Sequence, residues 1–304
     1  MRELDYQPSQ IARSLKTRQT KALGTVVSDL TNPFFPQLIR GAEDAALEHG
    51  YLLFTLNRDD RACRERRALD LLRARKVDGI LLVLAPESTA PAELTPGGSS
   101  AAPVVFLDHV PTGIAADSVS TDNRKGARRC LHHLCARGHR RIGFFSGWPG
   151  LQTAQDRLQG YLDVVREAGL EEDPALIRHG DFRVDCSYRL AKELLIESRP
   201  PTAIFAANGM TGLGALKAIH ELGLRCPRDV SLAVFDDVPY CDVIQPRLTV
   251  VAQPAYEMGR RGAELLIARI EGKAAGPEPV RIELQPELIV RESTGPCPAA
   301  VFAH

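Results

Sequence analysis

Residues 78–84 read Asp-Gly-Ile-Leu-Leu-Val-Leu, a continuous apolar run that follows an arginine-rich helical pattern at 61–76. A strand with one face in water alternates apolar and polar residues, whereas a parallel strand covered by helices on both faces is apolar throughout. A similar run, Ala-Leu-Gly-Thr-Val-Val, stands upstream at 22–27. Together these stretches predict a parallel sheet with helices packed on each side.

The same alternation of apolar runs and helical patterns continues along most of the chain. In the first half it predicts strands at 22–27, 51–56, 78–84 and 103–107, with helices at 34–49 and 61–76. In the second half it predicts strands at 140–145, 175–179, 202–207 and 230–235, with helices at 123–137, 154–168, 185–198 and 210–222. The remainder, 248–290, reads as a strand, a helix at 255–271, a turn and a strand at 280–290. We therefore expect an α/β fold of two doubly wound parallel-sheet lobes with a cleft between them.

The composition is that of a globular protein without a dominant charge. Among the 304 residues, 38 basic side chains balance 38 acidic ones, and 44% of residues are hydrophobic. This balance gives no overall field toward nucleic acid or membrane, although residues 1–21 carry an excess of basic groups. The sequence shows neither a signal-peptide pattern nor a run long enough to span a membrane. We expect a cytoplasmic protein.

The sequence offers little that would support catalysis or a metal centre. Its seven cysteines are spaced singly, without the Cys/His spacing that holds zinc. It lacks a glycine-rich phosphate loop and the nucleophile motif of the α/β-hydrolases. Asp236 and Asp237 are adjacent on one predicted strand, so their side chains point to opposite sides. We expect no enzyme activity, no metal and no cofactor.

A basic segment before the first strand carries the spacing Tyr-x-Pro-x-x-x-Ala-Arg-x-Leu-x-x-x-x-Thr, from Tyr6 to Thr20. Within it, Pro8 and Ser9 suit the first turn and the cap of a helix. A helix of roughly ten residues is marginal in water, because few hydrogen bonds follow a costly nucleus. We expect this segment to order only when DNA and a partner helix supply contacts.

This spacing resembles the hinge helix of the LacI/GalR family of bacterial transcriptional regulators, which joins a DNA-binding headpiece to a core similar to type I periplasmic binding proteins. The resemblance continues in order through the short motifs at 31–35, 138–143, 203–208, 235–237, 246–249, 253–254 and 291–293. It implies that Leu15 enters the minor groove of operator DNA, where an inserted apolar side chain kinks the duplex. It also implies that Tyr6, Ser9, Arg13 and Lys16 lie at the DNA. Since no recognition helix precedes residues 1–4, we expect weak operator binding by the chain as given.

Polar side chains stand at the ends of several predicted strands. Asp108, Asn208 and Asp236 each follow a strand, and ligands of open α/β sheets bind beyond the carboxyl ends of strands. Arg157 lies near the start of a predicted helix, where a positive charge interacts unfavourably with the helix dipole. Its presence at this position therefore indicates another role. The resemblance implies an effector site formed by Phe34, Phe35, Asp108, Thr153, Arg157, Phe182, Asn208, Asp236 and Gln253.

Alternatives stay open for several of these residues. Asn208 or Asp236 could instead cap a following helix or turn, and Phe34 or Phe35 could be plain core residues. Gly209 also departs from the family, which usually has an aspartate there. That aspartate would cap the next helix, so the geometry around Asn208 is in doubt.

The expected organisation is a headpiece remnant and hinge helix at 1–21, followed by two discontinuous lobes and a tail. The first lobe is expected at 22–122 with 252–278, the second at 123–251 with 279–293, and the tail at 294–304. The predicted function is a ligand-responsive transcriptional repressor that binds a small carbohydrate-like effector and, as a homodimer, operator DNA. A solute-binding receptor of the same fold is the alternative.

Overall fold

The computed structural model describes residues 19–85, 102–109, 115–273, 276 and 278–298. The predicted hinge residues lie outside the described residues: Tyr6, Ser9, Arg13, Leu15 and Lys16. The described chain falls into two compact units. The first lies within Met1–Leu30, Phe35–Ser120 and Ala255–Ile282, and the second within Thr31–Phe34, Thr121–Pro254 and Glu283–His304.

Strands and helices alternate along most of the described chain. The first part contains β1 (Ala22–Val27), α1 (Phe34–Glu48), β2 (Leu52–Asn57), α2 (Ala62–Ala74), β3 (Gly79–Leu82), β4 (Val104–Asp108) and β5 (Asp117–Thr121). The middle part contains α3 (Asn123–Ala136), β6 (Ile142–Ser146), α4 (Gln152–Glu167), β7 (Ile177–His179), α5 (Val184–Leu195), β8 (Ala203–Ala206), α6 (Gly209–Glu221) and β9 (Ser231–Phe235). The last part contains β10 (Thr249–Ala252), α7 (Ala255–Ile270), β11 (Arg281–Leu284) and β12 (Glu287–Ile289).

Each unit is built on its own six-stranded sheet. The strand order is β11-β5-β4-β3-β1-β2 in the first unit and β12-β10-β9-β8-β6-β7 in the second. Strands β1 to β5 pair in parallel, as do β6 to β10, whereas β12 is antiparallel to β10. In the first sheet, β2 lies on one side of β1 and β3 on the other, and in the second sheet, β7 and β8 flank β6 in the same way. The direction in which successive strands are added therefore reverses between β1 and β3 and between β6 and β8, and these two places are the switch points. The prediction of two doubly wound parallel-sheet lobes is confirmed.

The apolar runs that predicted the strands are the buried centres of the two sheets. Every residue of β1, β3, β6 and β8 is buried, which requires cover on both faces. The helices that provide this cover have 12 to 16 residues and bury one face each. Among the described residues, no helix is both long and apolar enough to cross a membrane.

Two parts of the sheets differ from the prediction. The single strand expected at 280–290 is two strands, because Pro286 lacks the N–H that a continuous ladder needs, and β11 and β12 join different sheets. Strand β5 was not predicted, because Asp117-Ser-Val-Ser-Thr lacks an apolar run. It nevertheless lies between β4 and β11, with Ser118 and Val119 buried.

Two helices of the first unit approach each other at backbone distance. A methyl group added at Gly259 on α7 would stand 1.8 Å from the carbonyl oxygen of Leu38 on α1. A methyl group at Gly41 on α1 would stand 1.9 Å from the carbonyl oxygen of Tyr256. Only glycine fits at both positions, so this helix pair depends on the absence of two side chains.

We expect Gly259→Ala to lower the free energy of unfolding by about 2–3 kcal/mol, because the added methyl group must push two backbones apart. Urea unfolding followed by circular dichroism measures this loss. Glu257→Ala on the same helix is the matched control, since it removes only a surface ion pair with Arg261 and should cost less than about 1 kcal/mol. Equal losses in the two variants would contradict the close-packing argument.

Candidate ligand-binding site

Polar side chains of the second unit collect where its parallel strands end. Asn208 follows β8 and Asp236 follows β9, and these two strands are neighbours in the sheet. The carboxyl ends of parallel strands meet at one edge, and adjacent strands lie about 4.8 Å apart. Helix α4, which follows β6, brings Thr153 and Arg157 to this unit's buried interior. The edge therefore carries a cluster of polar groups beside the switch point.

Arg157 is the centre of this cluster and is held rigidly. Its side chain is buried, with 4% of its surface exposed. Nε donates a hydrogen bond to Oδ1 of Asn123 at 2.8 Å, and Nη1 donates to the carbonyl oxygen of Ala207 at 2.5 Å. The guanidinium carbon lies 3.8 Å from the ring centroid of Phe235, a cation–π contact that is strong when water is excluded. These contacts fix a positive charge at the end of β8.

Asp236 supplies the matching negative charge. It is 4% exposed and adopts a left-handed backbone conformation with φ of 76°, which turns the chain sharply at the end of β9. Burial raises the pKa of Asp236 above its ordinary value, while Arg157 and two hydrogen-bond donors act in the opposite direction. The donors are Nε2 of Gln253, at 2.6 Å from Oδ1, and the backbone N–H of Gly209. The predicted residues Arg157, Asp236 and Gln253 thus lie together.

Asn208 has a structural task at the same edge. Its Oδ1 accepts the backbone N–H of Thr211 at 2.8 Å, so it is the N-cap of α6. Its Nδ2 donates to the carbonyl oxygen of Phe182 at 3.4 Å. The ring of Phe182 packs on the backbone of Gly147, where a methyl group would stand 2.0 Å from it. The capping alternative for Asn208 therefore holds, and the same side chain ties Phe182 to the cluster.

In the first unit, Asp108 ends β4 in a buried position, with a left-handed φ of 71°. Phe35 is also buried, and Phe34, the first residue of α1, belongs with the second unit. The charged centre of this edge is Arg58, which is fully buried and which the sequence reasoning did not single out as a site residue. Its guanidinium donates to the carbonyl oxygens of Val83 and Leu84 at 3.1 and 3.0 Å.

Further groups bind Arg58 from other elements. It donates to Oγ of Ser28, after β1, at 2.5 Å, and forms ion pairs with Asp60 and Glu65. Burial lowers the pKa of Arg58, while the carboxylates of Asp60 and Glu65 raise it. Arg58 therefore joins the carboxyl ends of β1, β2 and β3 into one rigid edge.

His109 follows Asp108 and is a second residue that the sequence reasoning missed. It is buried, and within the described chain its Nδ1 has no hydrogen-bond partner. Burial, helped by the nearby charge of Arg58, lowers the pKa of His109 to about 4, so the ring is neutral at neutral pH. A neutral imidazole can donate from one nitrogen and accept at the other.

Asn123 was also missed, although a signal for it exists in the sequence. It follows Asp122, which caps α3 by accepting the N–H of Lys125. Its Nδ2 donates to the carbonyl oxygen of Thr121, which leaves Oδ1 oriented toward Arg157. The run Thr-Asp-Asn between a strand and a helix marks this place. Nothing in the sequence shows that the partner stands 34 residues away.

Comparison with known proteins extends over almost the whole chain. The periplasmic binding protein-like domain family matches residues 131–294. The ribose operon repressor of Halalkalibacterium halodurans is 34% identical over 295 residues, covering 97% of this chain and 86% of that protein. Similarity at this level and coverage establishes common descent with a transcriptional repressor.

Solved structures agree with this relationship. The complex of the transcriptional regulator CelR with cellobiose aligns with a TM-score of 0.81 and 30% identity, covering 95% of this chain and 92% of that one. The lac repressor dimer bound to operator and an anti-inducer aligns with a TM-score of 0.83 and 25% identity, covering 96% of this chain and 100% of that one.

We expect Arg157→Met to lower the free energy of unfolding by about 3 kcal/mol near pH 8, because Asp236 would keep a buried charge without its cation. A carboxyl whose pKa is raised on folding loses stability as the pH rises from about 3.9 through the raised value. Removing Arg157 raises the folded pKa of Asp236 further, so the loss should be smaller near pH 5 than near pH 8, because a larger share of Asp236 is protonated at the lower pH. Urea unfolding at both pH values measures this difference.

The double variant Arg157→Met/Asp236→Asn is the control for the ionic part of that loss. Neither the double variant nor Asp236→Asn has the titrating carboxyl, so the loss between these two variants should be the same at both pH values. A pH-independent loss in the single variant would show that Arg157 and Asp236 are not electrostatically coupled.

Proposed function

Because this chain belongs to the LacI/GalR family of transcriptional regulators, we propose that a small carbohydrate-like effector binds at the Arg157 cluster and changes the affinity of the protein for operator DNA. We define this cluster as Arg157, Asp236, Asn208, Gln253 and Asn123. The relatives of this chain are repressors, and this chain functions as an effector-responsive repressor. The effector class, the site and the coupling are the proposal.

The buried guanidinium of Arg157 and the buried carboxyl group of Asp236, on which it acts electrostatically, support the proposal. A carboxylate accepts hydrogen bonds from hydroxyl groups, and amides both donate and accept, which suits the alternating groups of a sugar. Hydrogen bonds to neighbouring groups already hold both side chains in place, so binding a ligand requires little further ordering. Asp108, Phe35, Phe34 and Thr153 stay predicted effector residues.

Operator DNA and the predicted domain organisation belong to the same proposal. The bound effector would favour one arrangement of the lobes at 22–122 with 252–278 and at 123–251 with 279–293. The hinge segment would then order or separate with its partner, and Leu15, Arg13 and Lys16 would contact DNA. Such coupling is reciprocal, so DNA must change effector affinity by the same factor. A regulator with this task works where the chromosome is, in the cytoplasm.

The first unit offers a surface for the homodimer. Strand β2 is at the edge of its sheet, and on one face it exposes Leu52 and Phe54, with 57% and 49% of their surfaces open. Leu71 on α2, which packs on the same face of the sheet, is exposed as well. An exposed apolar patch on an edge strand indicates a protein contact, and a two-fold dimer pairs such a patch with itself. We call Leu52, Phe54 and Leu71 the edge patch.

We expect one or more compounds from a panel of ribose, cellobiose, lactose, gluconate, mannitol and guanine to raise the melting temperature of the native chain. At a hundredfold excess over Kd the gain is about 2.7 kcal/mol, or about 5–10 °C. Asp236→Asn should lose most of this protection, because the amide cannot replace the carboxylate as an acceptor at both oxygens. Differential scanning fluorimetry measures both.

Arg124→Gln, an exposed cation of the same unit, is the matched control and should keep full protection. If no compound of the panel protects the native chain, the proposed effector class is wrong. Equal protection of Asp236→Asn would place the site elsewhere.

We expect the chain to sediment as a dimer at micromolar concentration and Phe54→Glu to sediment as a monomer, since a buried charge would oppose association. Analytical ultracentrifugation separates the two species. Ile196→Glu, at a still more exposed apolar position of the second unit, is the control and should remain dimeric. A dimer that survives Phe54→Glu would exclude the edge patch as the interface.

A further inference from the structure

Trp148 is a large apolar side chain that is exposed to solvent at the switch point of the second unit. It is the only tryptophan of the sequence, and 42% of its surface is exposed. It stands two residues after β6, and β8, which ends before Asn208, is the next strand in the sheet. Ligands of doubly wound sheets bind in the crevice at this reversal of strand order. This exposed indole therefore belongs to a residue next to the place where a ligand is expected.

The backbone that carries Trp148 is fixed rather than loose. Its carbonyl oxygen accepts the N–H of Leu151 at 3.0 Å, which closes a turn with Pro149 and Gly150 in the centre. Nε2 of Gln155 donates to the carbonyl oxygen of Pro149 at 2.8 Å and ties this turn to α4. Arg157 lies on the same helix, so the indole and the guanidinium are held by one element.

A second aromatic ring lies against the residue before Trp148. The ring of Phe182 covers the backbone of Gly147 so closely that no side chain would fit there. The carbonyl oxygen of Phe182 is in turn bound by Asn208. Along the edge of the sheet, the aromatic residues Trp148 and Phe182 follow β6 and β7. Asn208 and Asp236 of the polar Arg157 cluster follow β8 and β9.

We propose that Trp148 is a specificity-determining residue of the effector site, and that its indole stacks on the apolar face of a ring-shaped ligand while the Arg157 cluster binds the polar edge. This inference rests on the proposed function and makes it narrower. A pyranose, a furanose or a heterocyclic base has both a flat apolar face and a polar rim. An acyclic polyol or sugar acid lacks the flat face, and Trp148 therefore discriminates against it.

The sequence provides its own reporter for this proposal. Because Trp148 is the only tryptophan, emission excited selectively over tyrosine comes from the indole in question. The full chain is titrated with ribose, cellobiose, lactose and guanine as ring compounds, and with mannitol and gluconate as acyclic ones. Any ring compound that raises the melting temperature should also shift or quench this emission. The acyclic compounds should do neither.

Calorimetric titration of variants then separates stacking from mere proximity. Trp148→Ala should weaken binding of the same ring compound about 10-fold to 100-fold, the range found when an aromatic platform is removed from a stacked base. Trp148→Phe should keep affinity within about threefold of the native chain, because a phenyl ring still offers a face. Ile196→Ala, an exposed apolar residue after α5, is the matched control and should leave affinity unchanged.

The outcomes distinguish this inference from the proposed function. Protection by a ring compound with unchanged emission and unchanged affinity in Trp148→Ala would overturn the role of Trp148 and leave the effector site standing. Binding by the acyclic compounds alone would overturn the ring class. A monomer in sedimentation of Trp148→Ala would show that the indole is a subunit contact, which overturns the inference. No protection by any compound would overturn the proposed function and this inference with it.

Discussion

A buried charge must be met by an opposite charge or by hydrogen-bond partners, and the carboxyl edge of the second sheet is arranged around that requirement. The guanidinium of Arg157 is taken out of water by α4 and the Phe235 ring. Asn123 and the carbonyl oxygen of Ala207 accept hydrogen bonds from it, and the carboxylate of Asp236 interacts electrostatically with its charge. These partners come from three separate segments, so the ends of β5, β8 and β9 are set relative to one another by one side chain.

The first unit solves the same problem with a different residue. Arg58 comes from the loop after β2, whereas Arg157 comes from a helix, yet both donate to carbonyl oxygens beyond the strand that lies across the switch point. Glu65 and Asp60 largely offset the charge of Arg58, and its side chain is wholly buried. Arg58 is therefore a positioning residue for its sheet edge. Arg157 keeps a small exposed fraction and interacts electrostatically with Asp236, which suits a group that meets a ligand.

Sequence reasoning reached the parts of the fold that are local. The apolar runs at 22–27 and 78–84 predicted buried parallel strands because a strand covered on both faces has no room for polar residues. Asp108, Asn208 and Asp236 were found for the same reason, since each directly follows such a run. The polar strand β5 was not predicted, and β11 and β12 were predicted as one strand across Pro286. The pairing of these strands depends on distant partners and not on periodicity.

The site residues that were missed share a physical cause. Asn123 and Arg58 gain their roles from contacts with residues 34 and 25 positions away, and no spacing rule connects such pairs. Trp148 sits in a turn whose sequence, Gly-Trp-Pro-Gly, predicts only a turn. Its proposed role rests on the strand order of the sheet, which places that turn beside the end of β8.

Gly209 shows how a departure from the family pattern is accommodated. The resemblance implied that one capping carboxylate is lost with the aspartate, and Asn208, for which a capping role was left open, caps α6 itself. A Cβ atom at position 209 would meet the hydroxyl of Tyr240 and a methyl group of Val238, each at 3.0 Å, so a larger residue would have to displace them. The bare N–H of Gly209 instead donates to Asp236. The space that an aspartate would take is thus filled by neighbours, and the negative charge at this edge is left to Asp236, which Arg157 faces.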